Sequence, residues 1–187
     1  MPTLLIVLIC LAVIFDFLNG VHDSSNIVAT MISSRALQPR TALIMTALAE
    51  FSGPFIFGVA VANTIGHEFV SSEHLNMDIL ISALAAAIVW NILTWILGIP
   101  SSSSHALIGG IIGAVAIGAG WQQIQLTGIL KVLLALFVSP IIGFLAGILV
   151  ANIVYAASWK ATPKVNRLFK RLQIFTSLGL ALSHGTN

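Results

Sequence analysis

Residues 3–18 are almost wholly apolar, and then the pattern changes. Asn19-Gly20-Val21-His22-Asp23-Ser24-Ser25-Asn26 interrupts the run before Ile27 to Ile32 resume it. Neither apolar piece reaches the roughly 20 residues a membrane crossing needs, so together they predict one long broken helix over 3–33. Apolar runs over 41–66 and 78–98 are each long enough to cross. Residues 100–120 are Gly-rich and predict a short crossing or a hairpin. Residues 128–157 predict a long span, tilted or kinked at Pro140. The pattern is that of an all-α integral membrane protein crossing the bilayer several times.

Composition rules out the soluble reading. Hydrophobic residues make up 58% of the 187 and charged residues 7%, against about 25% charged in soluble domains. Eight Lys/Arg and six Asp/Glu cannot build a solvated shell around a core of that size. The net charge of +2 gives no footprint for nucleic acid. Cys10 is the single cysteine, so there is no disulfide framework. Apolar residues follow Met1-Pro2-Thr3 directly, without a basic leader, which predicts a first membrane helix rather than a cleaved signal.

Charge in the loops predicts orientation. Arg35 and Arg40 flank the first turn, residues 66–77 carry Glu68 and Glu73 without Lys or Arg, and 158–172 hold Lys160, Lys164, Arg167, Lys170 and Arg171. The positive-inside rule places the first and third of these in the cytoplasm and the second outside. The N-terminus is then outside, and five crossings precede the basic loop. Residues 182–187, Leu-Ser-His-Gly-Thr-Asn, echo Phe17-Leu18-Asn19-Gly20-Val21-His22. The expected organisation is a first transmembrane repeat over 1–157, a basic cytoplasmic loop over 158–172, and the start of a second repeat over 173–187. Five crossings between the copies make the repeat an inverted one, the arrangement of secondary transporters with broken helices meeting near the midplane.

Two polar groups carry the candidate chemistry. Pro100-Ser101-Ser102-Ser103-Ser104-His105 opens like a helix N-terminus, whose free N–H groups and positive dipole end form an anion site. Four consecutive hydroxyls exceed what a cap requires and point to substrate contact. Asp23 is a carboxylate at membrane depth, which costs about 2.5–3.5 kcal/mol on insertion scales and marks a cavity or a partner. With Asn26 three residues on, it suits Na⁺, and the carboxylate alone could carry H⁺; a helix cap is the competing role. Asp16, seven residues earlier, and Glu50, inside 41–66, are further candidates for coupling. The tryptophans at 90, 95, 121 and 159 read as packing or interfacial residues, and Gly109-Gly110-Ile111-Ile112-Gly113 as a close-packing surface. No acid orients His105 in a triad, which argues against an enzyme.

The motifs Asn19-Gly20-Val21-His22-Asp23-Ser24-Ser25-Asn26, Ser34-Arg35-Ala36-Leu37 and Pro100-Ser101-Ser102-Ser103-Ser104-His105 resemble the PiT family of inorganic phosphate transporters. His184-Gly185-Thr186-Asn187 resembles the opening of that family's second signature. The resemblance implies a cell-membrane symporter moving inorganic phosphate with Na⁺ or H⁺, one half of an inverted repeat, with no cofactor beyond the co-transported ion. Asp23 and Asn26 match the family's cation positions, and Ser101 to Ser104 its phosphate-site hydroxyls. A second repeat and a homodimer are the expected protein partners, and the length suggests a fragment or a split gene. Sulfate, another tetrahedral oxyanion, and a non-transporting accessory subunit are the competing readings.

Overall fold

The computed structural model describes residues 2–58 and 75–186, and all regular structure among them is helical. Helix α1 spans Pro2–Ser33, α2 Pro39–Phe57, α3 Met77–Leu97, α4 Ser103–Gly118, α5 Leu126–Ser158 and α6 Asn166–Gly185, with 3₁₀ turns at Trp121–Gln123 and Pro163–Val165. α1, α3 and α5 are long and apolar enough to cross a membrane, and α4 is a shorter apolar helix. Residues 59–66 of the expected 41–66 span lie outside the described residues.

One expectation is overturned: α1 is helical through Asn19–Asn26 and has no break. The reason lies in what the polar side chains meet. Asn19 and Asp23 find partners on other helices, and Ser25 Oγ donates to the His22 carbonyl at 3.2 Å, a one-turn back-bond that a continuous helix accommodates. At 1.5 Å per residue the 32-residue helix is about 48 Å long. It serves as the mast on which the other elements are hung.

Caps and turns follow the local sequence. After α1, Arg35 takes the left-handed conformation (φ 54°) and the N–H groups of Ala36 and Leu37 both reach the Met31 carbonyl. Pro39 then opens α2. Asn76 caps α3 by accepting from the Ile79 N–H at 2.9 Å. Gly98, left-handed at φ 65°, ends α3, and Pro100 and Ser101 lead to Ser102, whose Oγ accepts from the His105 N–H at 3.4 Å as the N-cap of α4. The proline-then-serine start does announce a helix.

Packing sorts the helices along α1. Leu4 and Leu8 share a cavity wall with Leu75 to Leu80, and the His22 ring lies edge-on to Trp95, so α1 and α3 run parallel. Trp90 meets Ser101, Ala83 meets Gly110 and Ile79 meets Gly118, which makes α3 and α4 an antiparallel hairpin. Its core is Ile79, Ala83, Ile111 and Val115, joined by Ile129 and Val132 from the start of α5. On the other half of α1, Val28, Met31 and Ala42 form a second core with Leu37 and Ile174. Here α6 runs antiparallel to α1, since Lys170 reaches Arg35, Ser177 meets Thr30, and His184 meets Asp23. Beyond its first turns α5 is exposed throughout and is a single helix across Pro140.

Candidate functional site

The hairpin tip and the C-terminal end of α6 arrive at the same place, the middle of α1. Two contacts fasten the tip there: the edge-on His22–Trp95 pair, with centroids 6.4 Å apart, and a hydrogen bond from Ser103 Oγ to Asn19 Oδ1. From the opposite side come Glu50 of α2 and His184 of α6. Small residues let them approach: a Cβ on Gly53 would sit 2.5 Å from the Leu182 carbonyl oxygen, and one on Gly185 would overlap the Glu50 carbonyl.

Between α1 and the tip lies a cavity of about 330 Å³. His22, Asp23 and Asn26 line it from α1, Thr94 and Trp95 from α3, and the turn from Gly98 to Ser101 closes it. A second cavity, of about 500 Å³, opens on the far face of the tip beside Trp90, Ser101, Ser102 and His105. Ser101 borders both. Its Oγ accepts from Trp90 Nε1–H at 3.0 Å, which fixes the oxygen and leaves the hydroxyl proton to donate elsewhere. The N–H groups of Ser103 and Ser104, in the first turn of α4, have no acceptor one turn back. The tip therefore presents hydroxyl and amide donors at the positive end of a 16-residue helix. That is an anion-binding arrangement.

The carboxylates are organised by a residue outside the sequence candidates. His184 Nδ1 lies 3.0 Å from Glu50 Oε1, and its Nε2 lies 3.2 Å from Asp23 Oδ2. A neutral imidazole has one N–H, so two such hydrogen bonds require either an imidazolium or one protonated carboxyl. Both states leave the triad with one net negative charge. The advance signals for His184 were the echo of the first motif in residues 182–187 and the likeness of 184–187 to the opening of a second signature.

Of the sequence candidates, Asp23 and Asn26 share one cavity with Ser101, and Glu50 joins Asp23 through His184. Ser102 and His105 face the second cavity. Ser103 is 5% exposed and its hydroxyl is committed to Asn19, so it fastens the tip rather than facing open space. Ser104 borders neither of these cavities, and Asp16 is exposed two turns below Asp23, outside both.

Comparison with known proteins points the same way. Residues 19–162 match the Phosphate transporter family. A Bacillus subtilis protein named as a probable low-affinity inorganic phosphate transporter is 43% identical over 188 residues, covering 99% of this chain and 56% of that protein. A Rhizobium meliloti protein of the same name is 42% identical over 98% of this chain and 55% of its own length. One from Streptomyces halstedii is 41% identical and covered over 86% of its length. The chain thus spans about half the length of the first two relatives. Among solved structures, the sodium-dependent phosphate transporter shares the fold over 98% of this chain and 55% of that one, with a TM-score of 0.76 at 22% identity.

Proposed function

The chain belongs to the phosphate transporter family, a multi-pass membrane family, and from that premise we propose that it binds inorganic phosphate at the α3–α4 tip and couples its passage to a cation held near Asp23. The observation that carries this reading is the shared cavity. One wall is a carboxylate with an amide oxygen nearby, and the facing wall is the turn into the N-terminus of α4. Among the described residues, no Lys or Arg borders that cavity. A dianion entering it meets the Ser101 hydroxyl, the positive end of α4 and whatever cation Asp23 and Asn26 hold, which makes anion and cation mutually dependent. Na⁺ suits the oxygen set, and the His184 bridge supplies a proton-bearing alternative.

The hairpin enters and leaves on one side and reaches only the middle of α1, while α6 ends at the same level from the other side. α3 and α4 therefore make no net crossing, and the expected five crossings before the basic loop become three, still an odd number. This supports an inverted repeat in which the echo motif of 182–187 meets the first motif near the midplane. Relatives nearly twice as long support a second repeat that completes the far side of the site.

The test is labelled-phosphate binding to the purified chain in lipid nanodiscs, with sulfate as competitor. S101A/S102A removes the hydroxyls at the cavities without touching the Ser103–Asn19 fastening. Binding should fall about tenfold or more, from roughly 1–3 kcal/mol per unmet contact. Unchanged affinity in the folded double variant would remove phosphate from the tip.

A further inference from the structure

Seven of the eight Lys/Arg lie in the α1–α2 turn or between residues 160 and 171, far along α1 from the Asp23 cavity. Within that basic end, Pro163, Asn166, Arg167 and Lys170 line a cavity of about 590 Å³. We propose that it binds a phosphate group, presented by an anionic lipid headgroup or by free phosphate.

The helix geometry assembles the ligands. Asn166 and Lys170 are four residues apart on α6 and Arg167 and Lys170 three, so all three share one side of its first turns. That end of the helix dipole is already positive, and the first turn of α6 holds no acidic residue. Two cations placed there are opposed by the dipole and by each other. Among the described residues no carboxylate forms an ion pair with Arg167 or Lys170 to relieve them. An anion in the cavity would. Lys170 spends one N–H on the Arg35 carbonyl, at 3.2 Å, which pins its ammonium to the α1–α2 turn and leaves two donors. Arg167 adds a planar fork suited to two phosphate oxygens, and Asn166 adds a neutral amide.

Position favours a ligand from the bilayer surface. Tyr155 of the last turn of α5 and Trp159 just past its end stack edge-to-face at 5.5 Å, a few residues before the cavity. Such aromatic residues sit at headgroup level. The volume leaves room for a glycerophosphate headgroup and not only a bare phosphate. Nothing in this inference depends on phosphate being transported.

The experiment uses the full chain in nanodiscs, in two arms. In the first, phosphatidylglycerol is mixed into phosphatidylcholine and the lipid retained by the protein is counted by native mass spectrometry. In the second, the bilayer is phosphatidylcholine alone, and labelled phosphate binding is compared between wild type and R167Q, so that binding at the α3–α4 tip cancels. R167Q should lower binding about fivefold in the arm that carries the ligand, as for one cation near a membrane surface, and R167Q/K170Q further. K160Q, with the same change of charge outside the cavity, should retain wild-type binding. A loss confined to the first arm identifies a lipid headgroup, and one confined to the second identifies free phosphate. R167Q equal to wild type in both arms would overturn the site. So would a K160Q loss as large as that of R167Q, which would reduce it to diffuse charge. S101A/S102A should bind here as wild type does, which separates this site from the tip.

Discussion

Asp23 earns its place in the membrane by what surrounds it: a cavity on one side and the His184 ring on the other. D23N preserves size and a hydrogen-bond acceptor for His184 but removes the charge. In proteoliposomes under an imposed Na⁺ or H⁺ gradient, D23N should insert normally and lose concentrative phosphate uptake. The serines divide by partner. S103A leaves Asn19 Oδ1 without its donor and should destabilise the tip by about 1–3 kcal/mol, read as a lower thermal aggregation midpoint in detergent, whereas S104A should leave that midpoint unmoved. The polar residue types and their place between apolar runs were legible in the sequence. Which hydroxyl faces open space was not, because burial and the Asn19–Ser103 bond, between residues 84 apart, are tertiary facts. His184 was illegible for the same reason, its partner Asp23 lying 161 residues away.

At the scale of elements, hydropathy placed the helices well. The expected 78–98 and 128–157 are observed as Met77–Leu97 and Leu126–Ser158, and the proline-led serine start is capped by Ser102. The expected break in α1 failed because polarity in the sequence was read as a break in the backbone. Side-chain partners supplied by α4 and α6 satisfy those residues without unwinding the helix. The hairpin depends on the close approach of α3 to α4 at Gly110, where a Cβ would sit 2.5 Å from the Ala83 carbonyl oxygen. G110A should therefore cost about 1–3 kcal/mol through overpacking and weaken phosphate binding by displacing the tip. G143A on α5, with nothing within 4 Å of the added methyl, is the matched control and should leave both unchanged.

For the whole molecule, the arrangement along α1 makes one end basic, at the α1–α2 turn and the start of α6, and sets the start of α3 at the other. With Cys10 replaced, single cysteines at 36 and 160 in intact cells should resist a membrane-impermeant reagent, while one at 122 should react. Charge in the loops is what predicts that orientation. The meeting of the hairpin tip with α2 and α6 at one level of α1 was legible only in outline, as two motifs alike in wording, because nothing local encodes their contact.

The central claim is that the tip and Asp23 form one site in which anion and cation bind together, and linkage tests it most directly. Phosphate affinity of the purified chain in nanodiscs is measured against Na⁺ concentration and pH, for wild type and D23N. Wild type should bind phosphate more tightly as the coupling cation rises, and D23N should bind weakly and without that dependence. Equal cation dependence in D23N and wild type would contradict the account.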